Sequence, residues 1–232
     1  MANNIKGKWA LVTGASRGIG QKIAEGLAQE GCNLILHART KDNLNKTVEL
    51  VTPYGIEVLL VGGELSNKDS VQNIIMQVLS HGKPIDILYN NAAMMSEYKS
   101  IYEVTQDHWE KIMQINLYSM INFCSAFVPG MVDRNFGRVI NTTSGIKDQP
   151  NLAVYGVSKA AVDKYTSELA YEVKDTNVLV NTLDPGWLKT DLGGPNADNE
   201  VDTVMPGALV PALLEDNGPS GTLFRAQDYK NK

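Results

Sequence analysis

The stretch Lys8-Trp-Ala-Leu-Val-Thr-Gly14-Ala-Ser-Arg-Gly18-Ile-Gly20 decides the fold of this 232-residue chain. Its apolar first half predicts a short buried strand, and apolar residues recur at helical spacing from Ile23 to Ala28. A strand, a glycine-rich turn and a helix in this order bind the pyrophosphate of a dinucleotide. Gly14 permits the tight turn, Gly18 lets the backbone approach the phosphates, and Gly20 lets the helix pack on the strand. The helix N-terminus would add free N–H donors.

Strands and helices alternate along the rest of the chain. The predicted strands cover residues 8–13, 33–38, 56–61, 85–89, 137–143, 178–183 and 220–225, and helical periodicity is clearest at 105–133 and 153–174. Short apolar strands separated by helices predict an α/β fold, a Rossmann-type doubly wound parallel sheet of about seven strands with helices on both faces. We expect residues 1–232 to form a single dinucleotide-binding and catalytic domain.

Composition narrows the range of partners and compartments. A net charge of −5 without a basic stripe argues against nucleic-acid binding. The N-terminal residues lack the apolar core of a signal peptide and no apolar run looks long enough to cross a bilayer, so we expect no membrane partner and a cytoplasmic location. Cys32 and Cys124 lie far apart in sequence, which favours buried free thiols and predicts no metal site.

A second motif, Tyr155-Gly-Val-Ser-Lys159, follows a predicted strand that ends in Thr-Thr-Ser144. On a helix, residues four apart share a face, so the ammonium of Lys159 can act on the phenol of Tyr155. A free tyrosine titrates near pH ~10, and a neighbouring positive charge is expected to lower its pKa toward the range of general acid/base chemistry. The motif is short, and taken alone it is more consistent with a chance pair on an exposed helix.

Four motifs in this order resemble the short-chain dehydrogenase/reductase family over nearly the whole chain, and its carbonyl-reductase-like branch in particular. They are TGxxxGIG at 13–20, Asn90-Asn-Ala-Ala93 after an apolar run, Tyr155 with Lys159, and Pro185-Gly186 after another apolar run. The resemblance implies an oxidoreductase that interconverts a ketone or aldehyde and an alcohol by hydride transfer. The intact motifs argue against a non-catalytic NADP-binding signalling protein, which remains a third possibility.

The resemblance also assigns catalytic roles. Tyr155 would be the general acid/base, Lys159 would lower its pKa and hold the nicotinamide ribose, and Ser144 would orient the substrate oxygen. Asn116 matches the helix asparagine that positions a water leading from Lys159 to solvent. The gap between Ser144 and Tyr155 is about two residues shorter than the family's usual spacing, so Thr142 or Thr143 stays an alternative to Ser144.

Coenzyme preference is predicted from the end of the second strand, where NAD-using members carry an acidic residue. This chain has Ala38 there, Arg39 follows, and Arg17 lies in the glycine turn, so two guanidinium groups could bind a 2′-phosphate. We therefore expect NADP(H), with Asn90 bordering the adenosine and bracing the central strands. The residues that the resemblance places against the coenzyme are Gly14, Ser16, Arg17, Gly18, Ile19, Gly20, Arg39, Glu64, Leu65, Asn91, Ala92, Tyr155, Lys159, Pro185, Gly186, Leu188 and Thr190.

The substrate is expected to be a small hydrophobic carbonyl compound or alcohol. The predicted pocket walls are largely apolar and comprise Met94, Met95, Tyr98, Ile146, Leu152 and Trp187. The alternative is a 3-oxoacyl thioester reductase that acts on acyl-carrier-protein substrates; it is less favoured because an acidic carrier would need a basic rim. Family members often pair through the long helices at 105–133 and 153–174, which predicts a homodimer or homotetramer.

Overall fold

Seven parallel strands form one sheet in the order β3-β2-β1-β4-β5-β6-β7. The computed structural model describes residues 3–230. The strands are β1 Trp9–Val12, β2 Asn33–Ala38, β3 Val58–Gly62, β4 Ile87–Asn90, β5 Gly137–Thr142, β6 Val178–Asp184 and β7 Leu223–Arg225. The helices are α1 Gly18–Gln29, α2 Asn45–Val51, α3 Lys68–Ser80, α4 Gln106–Met113, α5 Ser119–Asp133 and α6 Ala153–Glu172. The predicted doubly wound sheet is confirmed, and each predicted strand matches an observed one.

Both faces of the sheet are buried, which explains why its strands appear in the sequence as continuous apolar runs. In β1, Ala10 and Val12 pack toward α1 and α2, whereas Trp9 and Leu11 pack toward α3, α5 and α6. The chain between β6 and β7 covers the α1 side with short 3₁₀ turns at Val201–Val204 and Gly207–Leu209. Because all seven strands are parallel, their carboxyl ends lie at one edge of the sheet. The two apolar layers hold the sheet in place.

The order of the strands reverses between β1 and β4, and ligands of open α/β sheets bind at such a switch point. The glycine turn follows β1, Asn91 follows β4, Ser144 follows β5 and Pro185 follows β6. The topology thus brings all four sequence motifs to the same edge of the sheet.

The segment Gln106–Asp133 is one continuous helical element, in which α4 and α5 are joined by a π-helical turn at Gln114–Tyr118. Within residues 3–230 it is long and apolar enough to cross a membrane by length and composition, so the expectation that no such segment exists is wrong. Half of its most apolar window is buried in the structure, where Phe123, Val128 and Met131 pack against the sheet. Burial in the protein core accounts for the apolar composition of that half.

Candidate active site

The glycine turn after β1 has the shape of a cradle that any larger side chain would fill. Gly14 has φ +67°, and a methyl group on it would lie 2.9 Å from the Cα atom of Ala92. Gly18 has φ +58°, and a methyl group on Gly20 would overlap the carbonyl oxygen of Gly14. The first turn of α1 carries no acidic residue and no side-chain cap, so its N–H groups remain available to an anion. These features fit a dinucleotide pyrophosphate.

Asn91 and Thr13 fix this turn against β4. The Thr13 hydroxyl accepts hydrogen bonds from the backbone N–H groups of Asn91 (3.0 Å) and Ala92 (3.1 Å). The Asn91 amide donates in return to the Thr13 carbonyl at 3.1 Å. Next to it, Asn90 donates to Asn141 at 2.8 Å, which ties β4 to β5 as predicted for a brace of the central strands. Asn91 therefore holds the residues that begin the glycine turn against the end of β4.

His37, which sequence analysis missed, connects the glycine turn to the end of β3. Its Nδ1 accepts from the backbone N–H of Gly14 at 3.4 Å, and its Nε2 lies 3.0 Å from the carbonyl oxygen of Gly63. Burial lowers the pKa of His37 to about 4, so the ring is neutral near pH ~7. A lone histidine inside the apolar strand Leu34-Ile-Leu-His-Ala38 was the available signal.

The two arginines predicted to bind a 2′-phosphate are both exposed, but they lie in different surroundings. Ala38 ends β2 and is buried, and Arg39 follows with an exposed side chain. Arg17 forms an ion pair with Asp191, Nε to Oδ2 2.9 Å, although both side chains are largely exposed. On the adenine side Glu64 is exposed, while Leu65 is buried. Exposed pairs are worth little, so Arg17 can exchange Asp191 for a phosphate at small cost.

Ser144, Tyr155 and Lys159 meet at the end of β5. The Ser144 hydroxyl forms a hydrogen bond with the Tyr155 phenol, and the Ser144 oxygen accepts from the backbone N–H of Ile146 at 3.2 Å. The ammonium of Lys159 lies 5.6 Å from the centre of the Tyr155 ring and donates to the Thr142 carbonyl at 2.7 Å. Tyr155 and Lys159 are both buried on α6.

The geometry favours Ser144 over the two threonines. The Thr143 hydroxyl donates to the Lys159 carbonyl at 3.3 Å and so is engaged by α6. The Thr142 hydroxyl is buried without a hydrogen-bond partner in residues 3–230. Among the described residues, the hydroxyl of these three that forms a hydrogen bond with Tyr155 is that of Ser144.

The ionisation of the pair differs from the sequence-based prediction. Burial raises the pKa of Tyr155 to about 12, the hydrogen bond from Ser144 opposes this rise, and the charge of Asp184 adds to it. Burial lowers the pKa of Lys159 to about 8, against the effect of Asp163. The pKa of Tyr155 is therefore raised in this structure, because the loss of hydration on burial is the largest effect, and the Lys159 ammonium is directed at the Thr142 carbonyl. The Tyr155 phenol is therefore protonated near pH ~7.

Asn116 lies in the π-helical turn and is buried. Its amide nitrogen donates to the Met94 carbonyl and the Ser158 hydroxyl, both at 3.0 Å, and its oxygen accepts from the Met94 N–H at 2.8 Å. Such turns recur at functional sites. Asn116 fastens the loop after β4 to the residue next to Lys159, a positioning role that the sequence did not reveal.

The turn after β6 forms the opposite wall. Gly186 has φ +82°, Leu188 is buried, and the Gly186 N–H donates to Asp184 Oδ1 at 3.0 Å. A methyl group added to Gly18 would lie 3.4 Å from the Thr190 methyl, so the turn after β6 borders the glycine cradle. Gln227, another residue that sequence analysis missed, donates to the Pro185 carbonyl at 2.9 Å.

The predicted pocket walls are only partly assembled. Met94, Met95, Ile146 and Leu152 are partly buried near the site. Tyr98 and Trp187 are 70% and 52% exposed, and the Trp187 indole donates to the Gly193 carbonyl at 2.8 Å. In residues 3–230, no group of three or more His, Cys, Asp or Glu side chains is placed to hold a metal ion. Cys32 and Cys124 are buried free thiols.

Comparison with known proteins identifies the class to which this fold and site belong. Residues 8–201 match the sequence profile described as short chain dehydrogenase, and the chain belongs to the short-chain dehydrogenase/reductase family. Members of this family are oxidoreductases that use a nicotinamide cofactor. The glycine cradle beside the switch point of the sheet is consistent with that membership.

Particular relatives support the same class. The chain is 31% identical over 225 residues to 3-oxoacyl-(acyl-carrier-protein) reductase FabG of Staphylococcus epidermidis, covering 95% of this chain and 92% of the relative. A short-chain dehydrogenase/reductase from Serratia marcescens, solved as a mutant, superposes with a TM-score of 0.87 at 23% identity, covering 96% and 97% of the two chains. NAD⁺-bound xylitol dehydrogenase superposes with a TM-score of 0.84 at 24% identity, covering 96% and 98%. At these identities the two structures establish the fold.

Proposed function

We propose that this protein is an NADP(H)-dependent oxidoreductase that interconverts a small hydrophobic ketone or aldehyde and the corresponding alcohol. The observation that carries the proposal is the cluster of Ser144, Tyr155 and Lys159 at the same sheet edge as the glycine cradle. A tyrosine that is hydrogen-bonded to a serine, with a lysine ammonium 5.6 Å from the centre of its ring, can transfer a proton to a carbonyl oxygen bound beside the coenzyme.

Each side chain has a defined task in carbonyl reduction. The Ser144 oxygen accepts from Ile146, and its hydrogen, which is directed at the Tyr155 phenol in this structure, would be donated to the substrate oxygen, where negative charge develops. Tyr155, protonated near pH ~7 because burial raises its pKa to about 12, donates the proton to that oxygen. The positive charge of Lys159 stabilises the negative charge that develops on the Tyr155 phenol as its proton leaves. The bound nicotinamide supplies the hydride in reduction and takes it up in oxidation.

The coenzyme would lie across the switch point with its pyrophosphate in the cradle of Gly14, Gly18 and Gly20. NADP(H) is favoured because β2 ends in Ala38 and the exposed Arg39 follows, with Arg17 nearby in the glycine turn. A buried alanine offers no acceptor for a ribose hydroxyl, whereas guanidinium groups form charge-assisted hydrogen bonds to a phosphate. Pro185, Gly186, Leu188 and Thr190 would face the nicotinamide end.

The test is a panel of aldehydes and ketones with consumption of NADPH, and separately NADH, as the readout. We expect turnover with NADPH to exceed turnover with NADH, and equal efficiency with both would overturn the coenzyme assignment. Ser144→Ala should lower turnover severely, with Thr142→Ser and Thr143→Ser as controls that keep their hydroxyls. Near-normal rates in Ser144→Ala would transfer the orienting role to a threonine.

A second candidate is a 3-oxoacyl thioester reductase, which the relative at 31% identity favours. Acetoacetyl thioesters of coenzyme A and of an acyl-carrier protein, compared with aromatic aldehydes under the same conditions, separate the two candidates. Faster turnover of the carrier-bound thioester than of every simple carbonyl compound would favour this second function.

A non-catalytic NADP-binding role is the third candidate. Tyr155→Phe removes the transferable proton but keeps the ring, so we expect it to abolish turnover and to leave coenzyme binding intact. Retention of all measurable activity in Tyr155→Phe would remove the catalytic assignment.

We also propose a homodimer or homotetramer and a cytoplasmic location. A groove of about 370 Å³ lies between α5 and α6, with Tyr165 and Leu169 in its wall, on the helices predicted to pair. Light scattering at several protein concentrations measures the assembly, and a monomer at all of them would contradict it.

A further inference from the structure

His37 is buried in β2 beside the glycine turn, where it is 2% exposed. Two contacts hold its ring: the backbone N–H of Gly14 donates to Nδ1 at 3.4 Å, and Nε2 lies 3.0 Å from the carbonyl oxygen of Gly63. The main chain of His37 adds a third contact, because its carbonyl accepts from the backbone N–H of Ala15 at 2.9 Å. Two successive N–H groups of the turn therefore donate to the same residue of β2.

The two ring contacts require one particular protonation state. A carbonyl oxygen can only accept, so the contact with Gly63 needs the ring hydrogen on Nε2. A backbone N–H can only donate, so the contact with Gly14 needs a lone pair on Nδ1. The neutral Nε2–H tautomer meets both needs, whereas the other neutral tautomer and the imidazolium would each direct a hydrogen on Nδ1 at the N–H of Gly14. The Gly63 carbonyl therefore selects the form of the ring that can hold the turn.

Gly14 is a residue of the turn whose orientation depends on such contacts. It has φ +67° and no side chain, so side-chain packing cannot fix its backbone. Among the described residues, the acceptor of its N–H is the His37 ring, while its carbonyl oxygen accepts from the Asn91 amide at 3.4 Å. His37 thus holds the peptide group before Gly14, and Asn91 holds the peptide group after it.

His37 also joins the glycine turn to the segment 63–65 after β3, which is expected to border the adenine. The ring donates to the carbonyl of Gly63, and the backbone N–H of Gly63 donates to the carbonyl of Ala38 at 3.1 Å. Arg39, expected at the 2′-phosphate, follows Ala38. His37 and its neighbour in β2 therefore connect three parts of the predicted coenzyme site.

We propose that His37 is a positioning residue for the coenzyme, whose Nδ1 fixes the Gly14 peptide group at the start of the pyrophosphate cradle in the tautomer that the Gly63 carbonyl selects. This inference rests on the proposed function, because it concerns the same coenzyme site. His37 acts through Gly14 and takes no part in hydride or proton transfer. A turn that is held in place before the coenzyme arrives loses less conformational freedom on binding, so loss of the contact should weaken binding.

Three substitutions separate the two ring contacts. His37→Asn places an amide oxygen near the position of Nδ1, where it can accept from Gly14, but it does not reach Gly63. His37→Gln places an amide nitrogen near the position of Nε2, where it can donate to Gly63, but it offers no acceptor to Gly14. His37→Phe keeps a ring and removes both contacts. The matched control is Ile35→Ala in the same strand, because Ile35 packs in the apolar layer that contains Phe123, whose ring centre lies 6.4 Å from that of His37.

The first measurement is the dissociation constant of NADPH, obtained by fluorescence titration at a temperature at which circular dichroism shows each variant folded. His37→Phe and His37→Gln should bind NADPH about tenfold or more weakly than the wild type, whereas His37→Asn should stay within about threefold. Ile35→Ala should also stay within about threefold although thermal unfolding shows a less stable protein. Wild-type affinity in His37→Phe, or an affinity of His37→Asn as low as that of His37→Phe, would refute the inference.

The second measurement needs no substitution at His37. The ¹⁵N chemical shifts of the imidazole are recorded near pH ~7 in histidine-labelled protein without coenzyme, and His81→Gln and His108→Gln assign the His37 signals by elimination among the three histidines. We expect the pattern of a neutral ring that is protonated on Nε2. A ring protonated on Nδ1 would refute the inference, because it cannot accept from Gly14.

The inference and the proposed function fail separately, because neither measurement needs a substrate. In His37→Phe, binding of 2′-phospho-ADP-ribose, which lacks the nicotinamide, should weaken by the same factor as binding of NADPH; a loss confined to NADPH would contradict the inference. If NADH proves to be the coenzyme, the same factors are expected for NADH, so the role of His37 stands while the coenzyme assignment falls. A folded wild-type protein that binds neither coenzyme would overturn both.

Discussion

Replacing Gly20 by alanine tests whether the close contact between α1 and the glycine turn creates the coenzyme site. A methyl group there would lie 2.6 Å from the Asn91 amide nitrogen and 2.9 Å from the Gly14 carbonyl carbon, and closer still to the Gly14 oxygen. Carbon atoms pack at about 3.5–4.0 Å, so helix and turn must separate by about 1 Å. The contacts are mostly backbone, which cannot move aside as a side chain can.

This separation is expected to weaken coenzyme binding more than it lowers the free energy of unfolding. A misplacement of reacting groups by ~1 Å can lower a rate about 100-fold. We expect a loss of the same order in coenzyme affinity, which corresponds to about 2.7 kcal/mol of binding free energy. Stability should change less, because alanine gains up to about 1 kcal/mol in a helix while overpacking costs about 1–3 kcal/mol. Gly20→Ala should therefore bind NADPH about 100-fold more weakly and unfold with a modest loss of stability.

Gly26→Ala provides the control on the same helix. A methyl group on Gly26 would meet the ends of the Met205 and Leu209 side chains, the latter at 2.8 Å, and these ends can rotate away. We expect NADPH affinity within about threefold of the wild type in this variant. The assay is a fluorescence titration with NADPH, together with thermal unfolding of each protein. A Gly20→Ala protein that binds NADPH as tightly as Gly26→Ala would refute the argument.

Three further outcomes are expected from the ionisable groups of the site. Arg39→Ala should raise the dissociation constant of NADPH about tenfold or more and leave that of NADH within about twofold, and an equal effect on both would contradict the 2′-phosphate site. Lys159→Met should abolish turnover without lowering stability near pH ~7. Burial lowers the pKa of Lys159 from its ordinary 10.5 to about 8, so the unfolded chain binds more protons between these values and wild-type stability should rise with pH through that window. Urea unfolding that showed no such rise relative to Lys159→Met would contradict the burial of an ammonium. His37 has a folded pKa of about 4 against 6.5, so wild-type stability should fall as pH falls through this window, by up to about 3 kcal/mol. His37→Gln should lose less stability over the same range, and an identical loss would exclude His37 as the cause.

Much of the fold was predictable because its signals are local. The run from Lys8 to Gly20 specifies a strand, a turn that needs positive φ at Gly14 and Gly18, and the start of a helix, all within thirteen residues. Buried parallel strands also appear as short apolar runs, so their approximate positions follow from the sequence. The sheet edge on which the four motifs meet then follows from the alternation of strands and helices.

The sequence by itself determined the order of strands and helices and the glycine turn, and it predicted Tyr155 and Lys159 as a pair, with Ser144, Thr142 and Thr143 left as candidates for the orienting hydroxyl. The tertiary structure decided their ionisation: burial of the Tyr155 phenol raises its pKa, although the Lys159 ammonium on the same helix face had predicted the reverse. It also revealed His37 and Gln227, whose contacts join segments far apart in the chain. The hydration of a side chain and its long-range contacts depend on what surrounds it after folding, and the spacing of residues in the sequence predicts neither.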